Sequence, residues 1–294
     1  MCGKALLNMI SFSMKLRVKK IWYITNEFIS CFKNRIDPRF FGAVILKKFQ
    51  KWMPIPNILE NKSMRYLSAS LKAIYHLCRE KYDIKGIYDI FVSFFFYESF
   101  VPKEGWVVLD GGAHKGLYSE ICAHLVGRKG RIFAVEPNPN MCSLLWQKFG
   151  NEAYPNVKII KAALGKDDKT VTLYTPRNFS SVSSTFESHV QHFADGYDTV
   201  PTRCYSIDEL VEKEKIKNLD LVKLDIEGAE LNALLGATNT MGRNLIKRFI
   251  IEVHEDVVSI REIIKLLLRY HYKIKVVINT SAIVRRYIYA KCCG

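Results

Sequence analysis

WVVLDGGAHKG, residues 106–116, joins a continuous apolar run to a glycine-rich turn. An apolar run of this length that ends in a carboxylate is typical of a strand buried on both faces of a parallel sheet. The glycines that follow let the chain turn into a helix, and they leave room for a ligand beside the backbone N–H groups. The segment therefore predicts a strand–turn–helix unit with a binding site at the turn.

Strands and helices continue to alternate to the end of the chain. Further strands are predicted at 131–136, 157–165, 170–176, 219–225 and 249–254, and helices at 117–127, 140–149, 205–213, 227–237 and 257–270. Residues 272–278 and 282–290 form a closing hairpin, and the polar, Ser-rich residues 177–200 are predicted to be a long loop. This order predicts an α/β fold with a doubly wound, mainly parallel sheet and ligands at the carboxyl ends of the strands.

Length and charge predict a second, smaller part of the chain. With 294 residues, 49% of them hydrophobic, the sequence suits one sizeable α/β domain and an extension. We predict a basic helical N-terminal extension at 1–83 and a Rossmann-like domain at 84–294. The net charge of +15 is concentrated in the first 100 residues. Such a segment can attract nucleic acid or an anionic membrane surface, but a solvated lysine-rich helical surface is the favoured interpretation.

The spacing after the first strand indicates which ligand the turn binds. Asp110 to Gly116 read D-x-G-x-x-x-G, which differs from the G-x-G-x-x-G of dinucleotide dehydrogenases. A carboxylate at Asp110 would repel a pyrophosphate, whereas it suits a ligand with a cationic amino group or a sulfonium. Glu136 ends the second strand, 20 residues past Gly116, and is placed to accept two hydrogen bonds from a ribose diol.

Two later motifs place acidic groups and a histidine after strands. In KLDIEGAE (223–230), the strand ends at Asp225 and Glu227 follows, a crowding of carboxylates that requires a cation, a metal or hydrogen-bond donors nearby. In IEVHED (251–256), Glu252 and His254 are two apart on a strand and point to one face. Because histidine titrates near neutral pH, we predict His254 as the general base, oriented by Glu252 or Asp225.

Instead of removing a proton directly, these carboxylates and the histidine could bind a metal ion. Asp225, Glu227, Glu252 and His254 offer the oxygen and nitrogen ligands to collect Mg²⁺ and acidify a hydroxyl. No Cys/His spacing typical of a structural zinc site occurs among the eight cysteines, so no metal is predicted as the first choice.

Six motifs resemble those of the FkbM-type methyltransferases in their order and spacing. They are VVLDGGAHKG, FAVEPNP, AALG, SIDEL, VKLDIEGAE and IIEVHED. The resemblance covers residues 84–256. It implies a class I methyltransferase fold, with a seven-stranded sheet that ends in a reversed hairpin. It also implies S-adenosylmethionine as the cofactor and O-methylation of a hydroxyl on a sugar or small natural product. His114 and Lys115 depart from the family pattern, which usually has Asn and an apolar residue there.

The resemblance also implies contacts for the cofactor. Asp110, Gly112 and Gly116 would hold its amino acid end, Glu136 its ribose, and Ala162 or Ala163 would line the adenine pocket. Asp225 would lie beside the methyl group, and Ala113 and Asn138 complete the set of predicted cofactor contacts.

The predicted acceptor is a small molecule or a glycan. A nucleic-acid methyltransferase that grips RNA or DNA with its basic N-terminal region is one alternative, although no aromatic-basic recognition motif occurs. A non-catalytic scaffold that docks on a membrane or a partner is the other. No apolar stretch is long enough for a transmembrane span or typical of a secretory signal. We therefore expect a cytoplasmic protein, with peripheral contact at a membrane surface left open.

Overall fold

The computed structural model describes residue 94 and residues 97–150, 152–177, 182–279 and 285–293. The predicted extension at 1–83 and its boundary lie outside the described residues. Between residues 84 and 100, the structure describes Phe94 and residues 97–100, which include a 3-10 turn at Glu98–Phe100.

The described strands and helices alternate as the sequence predicts. In chain order the strands are β1 (Val107–Gly111), β2 (Arg131–Glu136), β3 (Val157–Lys161), β4 (Ala163–Leu164), β5 (Lys169–Pro176), β6 (Tyr197–Tyr205), β7 (Leu221–Leu224), β8 (Arg248–Val253), β9 (Tyr272–Asn279) and β10 (Arg285–Cys292). The helices are α1 (Leu117–Val126), α2 (Pro139–Phe149), α3 (Glu187–Phe193), α4 (Ile207–Lys213), α5 (Glu230–Leu235), α6 (Thr238–Gly242) and α7 (Ile260–Arg269).

Seven of the described strands form the main sheet, in the order β3-β2-β1-β7-β8-β10-β9. The first five of these pair in parallel, and β10 runs antiparallel to both β8 and β9. The inner strands are buried on both faces, as in other parallel sheets, and Val108, Leu109 and Val222 are fully buried. The predicted mainly parallel seven-stranded sheet with an antiparallel hairpin is confirmed.

The strand order reverses at β1, which has β2 on one side and β7 on the other. In doubly wound sheets, the loops after the strands diverge at such a point and leave a crevice at the carboxyl ends. The two motifs after β1 and β7, beginning at Asp110 and Asp225, therefore meet at this crevice.

The predicted single strand at 157–165 is wrong, because the chain changes sheets within it. β3 ends at Lys161, where the backbone N–H of Ala162 donates to the carbonyl oxygen of Glu136. β4 then pairs with β6 in a second, three-stranded sheet of order β4-β6-β5.

The predicted loop at 177–200 is also wrong in part, since it contains α3 and the start of β6. β6 pairs antiparallel with β5 from Tyr197 to Cys204. Its sequence, YDTVPTRCY, does not alternate regularly between polar and apolar residues, and most of its residues are at least partly exposed, which made the strand hard to distinguish from a loop.

The helix predicted at 205–213 is confirmed, together with its cap. Ser206 Oγ accepts a hydrogen bond from the backbone N–H of Glu209 at 3.1 Å. The helix predicted at 227–237 is shorter and begins at Glu230, because Glu227 and Gly228 adopt positive φ angles of 52° and 100° in a turn.

Within the described residues, no helix is long and apolar enough to cross a membrane. Their five cysteines, at 122, 142, 204, 292 and 293, are all free thiols.

Candidate active site

A cavity of about 590 Å³ lies at the carboxyl ends of the central strands. Many of the residues predicted from the sequence line it: Gly112, Glu136, Ala162, Ala163, Asp225, Glu252 and His254. Asp110, Ala113, Gly116 and Asn138 are close in sequence to lining residues but do not themselves line the cavity.

Asp110 is fully buried, and its carboxylate has partners within the protein. Oδ2 accepts a hydrogen bond from Ser119 Oγ at 2.6 Å, and Oδ1 lies 3.2 Å from the ammonium of Lys223. The predicted contact between Asp110 and the amino group of a cofactor therefore stays a prediction.

Lys223 is the buried cation around which the two strand ends are organised. Its Nζ donates to the carbonyl oxygens of Gly111 and Gly112 at 3.1 and 2.9 Å, and it lies 3.5 Å from Asp225 Oδ2. Burial opposes the charged form, but Asp110 and Asp225 outweigh it and raise the pKa of Lys223. Lys223, on β7, thus binds the backbone at the exit of β1 and the acidic side chains at the exits of both strands.

The two predicted glycines serve different purposes. Gly112 has a φ of 73°, and a Cβ there would lie 1.9 Å from the carbonyl oxygen of Asp225. Gly116 has a φ of 77° and precedes α1, where a Cβ would clash with the side chains of Leu145 and Phe149. Gly112 is therefore required by the contact between the two strand exits, and Gly116 by packing against α2.

Glu136 lies at the exit of β2 with its carboxylate at the cavity. Oε2 accepts from the backbone N–H of His114 at 2.7 Å, and Oε1 accepts from that of Asn138 at 2.9 Å. Burial raises the pKa of Glu136 to about 7, although both backbone hydrogen bonds oppose this. Each oxygen retains a lone pair that can accept from a ligand hydroxyl.

Asn138 and Ala113 have structural contacts. The Asn138 side chain caps α2 by accepting from the backbone N–H groups of Asn140 and Met141, and its amide donates to Ser183 Oγ at 3.0 Å. Ala113 packs in an apolar cluster with Leu145 and Phe149. Their predicted contacts with a cofactor remain predictions.

Both departures from the family pattern are accommodated. His114 lines the cavity, and burial together with the charge of Lys115 lowers its pKa to about 4, so the imidazole is neutral at physiological pH. Lys115 is exposed to solvent.

Asp225 and Glu252 share the side of the cavity formed by β7 and β8. Burial favours the protonated form of Asp225, but the charges of Lys223, His254 and Arg285 outweigh it and lower its pKa. Burial and the charge of Asp225 raise the pKa of Glu252 to about 7, against the opposing charge of Arg285, which lies 3.4 Å away.

His254 is surrounded by carboxylates. Nδ1 is hydrogen-bonded to Glu230 Oε1 at 2.8 Å, and Nε2 lies 3.3 Å from Glu227 Oε2 and 4.0 Å from Asp225 Oδ1. Burial lowers the pKa of His254, but these carboxylates outweigh it and raise the pKa to about 10. Its predicted role as a general base stays a prediction.

Sequence reasoning missed His189, which lies on α3 inside the predicted loop. Its side chain is buried, with Nε2 2.8 Å from Glu227 Oε2 and Nδ1 2.5 Å from Asp256 Oδ2. The segment before α3 is fixed to the same turn, since Ser184 Oγ donates to the carbonyl oxygen of Glu227 at 2.6 Å. The only signal was a pair of histidines, His189 and His192, in a polar stretch, which carries little information.

The lining of the cavity is acidic overall. Its carboxylates are those of Glu136, Asp225, Glu227, Glu252, Glu255 and Asp256. They outnumber its cations, which include His254 with its raised pKa and two arginines, Arg285 and Arg286, each paired with a glutamate of the lining. This surface favours a cationic ligand over a pyrophosphate.

Residues 110–274 match the family model of the methyltransferase FkbM domain, and this range is more than half of the chain. The chain belongs to the FkbM methyltransferase family. The match begins at Asp110 and includes the acidic residues of the cavity lining, whereas Arg285 and Arg286 lie beyond it.

A curated relative of this FkbM chain is the hexuronic acid methyltransferase AglP of Haloferax volcanii. The two are 27% identical over 165 residues, which are 56% of this chain and 62% of the relative. This chain therefore spans less than two thirds of the length of that relative.

Solved structures also resemble this FkbM chain. The methyltransferase FkbM of Methylobacillus flagellatus KT is 15% identical with a TM-score of 0.47, over 77% of this chain and 59% of that one. The fibrillarin of Aeropyrum pernix, solved with natively bound S-adenosyl-L-methionine, is 18% identical with a TM-score of 0.39, over 64% and 67%.

Proposed function

We propose that this protein is an S-adenosylmethionine-dependent methyltransferase that methylates a hydroxyl of a sugar or glycan. One observation carries the proposal. The carboxylates at the exits of β2 and β7, Glu136 and Asp225, line a single cavity together with Gly112.

The cofactor fits this lining by charge and by hydrogen bonding. Glu136 would accept hydrogen bonds from the ribose hydroxyls, and Ala162 and Ala163 offer a small apolar surface for the adenine. The acidic lining suits the sulfonium and the amino group, and it disfavours the pyrophosphate of a dinucleotide. Asp110 supports this arrangement through Lys223, whose Nζ bonds the carbonyl oxygens of Gly111 and Gly112.

Methyl transfer is a displacement in which the cofactor supplies the leaving group, so the protein mainly positions the reactants. The acceptor hydroxyl must also lose its proton. Asp225, Glu252 and His254 are the predicted groups for this step, and all three line the same side of the cavity.

The acceptor class is supported by the curated relative, whose name places its activity on a hexuronic acid. We propose a sugar or glycan hydroxyl for this chain, and hexuronic acid residues are the first acceptors to test.

Calorimetry with S-adenosylhomocysteine and, in parallel, with NAD tests the cofactor. We expect one molecule of S-adenosylhomocysteine per chain and no binding of NAD. Failure of S-adenosylhomocysteine to bind would contradict an active enzyme and favour the non-catalytic scaffold.

Transfer of a radioactive methyl group to glycans with and without hexuronic acid tests the acceptor, and RNA serves as the comparison. Labelling of glycans only is the expected result. Labelling of RNA with salt-dependent retention would support the nucleic-acid alternative instead.

A further inference from the structure

We propose that His189, Glu227 and His254 bind a divalent transition-metal ion beside the acceptor site. His189 and His254 lie on α3 and after β8, and Glu227 lies in the turn after β7, so three separate elements meet here. The candidate ligand atoms of the three residues all lie within 4.8 Å of one another.

In both imidazole rings, the Nε2 atom faces the carboxylate of Glu227. Nε2 of His189 and Nε2 of His254 lie 2.8 and 3.3 Å from Glu227 Oε2, and the ring centroids are 5.3 Å apart. In a tetrahedral site with bonds of about 2.0–2.1 Å, ligand atoms are about 3.3 Å from one another. The His254 distance agrees with this value, and the His189 distance needs to widen by about 0.5 Å.

The Nδ1 atom of each ring is hydrogen-bonded to a further carboxylate, which differs between the two histidines. Nδ1 of His189 pairs with Asp256, and Nδ1 of His254 pairs with Glu230. Since a carboxylate accepts, each Nδ1 carries the donated proton. Each Nε2 in turn faces Glu227 Oε2, and a metal ion would bind Nε2 by displacing the proton shared with that carboxylate. Metal-binding histidines in proteins show this outer carboxylate as a rule.

The outer carboxylate of His254 is itself fixed. Glu230 is fully buried, and its Oε1 also accepts from the backbone N–H groups of Ile226 and Gly228 at 3.3 and 3.1 Å. These bonds orient the turn that carries Glu227. The buried carboxylate of Glu230 therefore positions two of the three proposed ligands, His254 directly and Glu227 through its turn.

The ligand types select the metal. Two imidazole nitrogens and one carboxylate suit Zn²⁺, Co²⁺, Mn²⁺ or Fe²⁺, whereas Mg²⁺ prefers an all-oxygen environment. Three protein ligands also leave coordination positions for a substrate. All three ligands line the cavity, so those positions face the space where the acceptor would lie.

A role for the ion in transfer rests on the proposed function. The acceptor hydroxyl would bind the ion, which lowers its pKa, and its proton would pass to water or to a carboxylate of the cavity. The oxygen electron pair would then form the C–O bond while the C–S bond pair returns to sulfur, leaving a thioether. In this arrangement His254 is a ligand and not the proton acceptor.

The test uses the full chain, stripped with a chelator and titrated with Co²⁺. We expect visible absorption bands that saturate at one ion per chain, displacement of the bands by Zn²⁺, and a rise in melting temperature on binding. Absence of the bands in the wild-type protein would overturn the proposal, as would binding of Mg²⁺ with equal affinity.

Variants locate the ion. Glu227→Gln and His254→Gln should abolish the bands, and His192→Gln is the matched control because His192 is exposed on the same helix as His189. Asp256→Ala removes only an outer carboxylate at an exposed position, so the protein should remain folded while the affinity falls about 10–100-fold. Unchanged bands in Glu227→Gln and His254→Gln would identify the binding as adventitious and overturn the proposal.

Circular dichroism of each variant checks that it is folded. The two proposals can fail independently. If the protein binds Co²⁺ but not S-adenosylhomocysteine, the metal site is supported and the proposed function is contradicted. Binding of S-adenosylhomocysteine without Co²⁺ would do the reverse.

Discussion

Lys223 Nζ lies 3.2 Å from Asp110 Oδ1, and both side chains are almost completely buried. The pair connects β7 to β1 at the point where the strand order of the sheet reverses. Because Lys223 also donates to the carbonyl oxygens of Gly111 and Gly112, it fixes the backbone that forms one wall of the cavity. Stability of the fold and shape of the cavity thus depend on the same ammonium group.

Lys223→Met should destabilise the protein strongly. The substitution leaves the buried charge of Asp110 unpaired, which costs about 3–5 kcal/mol of unfolding free energy. Denaturant unfolding measures the loss. Lys158→Met is the control, since the Lys158–Glu214 pair is largely exposed at Lys158 and contributes at most about 1 kcal/mol. Equal losses in the two variants would contradict a structural role for Lys223.

Adding Asp110→Asn to Lys223→Met should recover part of the lost stability, because the double variant no longer buries a lone charge. A double variant less stable than Lys223→Met would show that Asp110 stabilises the fold through other partners.

Gly112→Ala should weaken binding of S-adenosylhomocysteine by at least about tenfold, a cost of about 1.4 kcal/mol. The added Cβ would lie 1.9 Å from the carbonyl oxygen of Asp225 and must displace the end of β7. Gly105→Ala is the matched control, since Gly105 has a similar φ of 83° and nothing within 4 Å of the added Cβ. Both variants place a Cβ on a left-handed backbone, a strain of about 1–2 kcal/mol, but only Gly112→Ala adds the clash. Calorimetry and denaturant unfolding of the two variants therefore measure the effect of the clash by difference. Similar cofactor affinities in the two would contradict the predicted role of Gly112.

Cofactor affinity should rise with pH through the titration of Glu136. Burial raises the pKa of Glu136 to about 7, so the carboxyl is mainly protonated at pH 6 and mainly ionised at pH 8. Only the ionised group accepts from both ribose hydroxyls, and the affinity for S-adenosylhomocysteine should increase about tenfold over this interval. Calorimetry at several pH values measures it. Glu136→Gln should bind more weakly and without this dependence; a retained slope would assign the titration to another group.

His254→Gln should slow methyl transfer while leaving the Kd for S-adenosylhomocysteine nearly unchanged. His254 lies on the acceptor side of the cavity, and loss of a group that removes or directs a proton costs about 10²–10⁴ in rate. Single-turnover assays with a saturating cofactor measure the step, with His192→Gln as the control. Full activity in His254→Gln would exclude the residue from the reaction, both as a base and through a metal.

Local sequence signals predicted the main sheet well. The apolar run before Asp110, the apolar strand before Asp225 and the Ser206 cap each depend on neighbouring residues, and all three appear in the structure. The cavity lining followed from the same signals, because the carboxyl ends of parallel strands meet at one edge.

Contacts between distant residues were not predictable. Lys223 appeared as one more charged residue in a strand, since its partner Asp110 lies 113 positions earlier. His189 and β6 belong to a polar segment whose order comes from pairing with β5 and from the Glu227 turn, and a single sequence does not display those pairings.

The small sheet and α3 have a consequence for how related enzymes diverge. Glu136 and Gly112 lie on the exits of the main sheet, whereas Val182, Ser183, Thr185 and His189 reach the cavity from the segment between β5 and β6. Substitutions in that segment should therefore alter the selectivity of the cavity while the strands of the main sheet keep their packing.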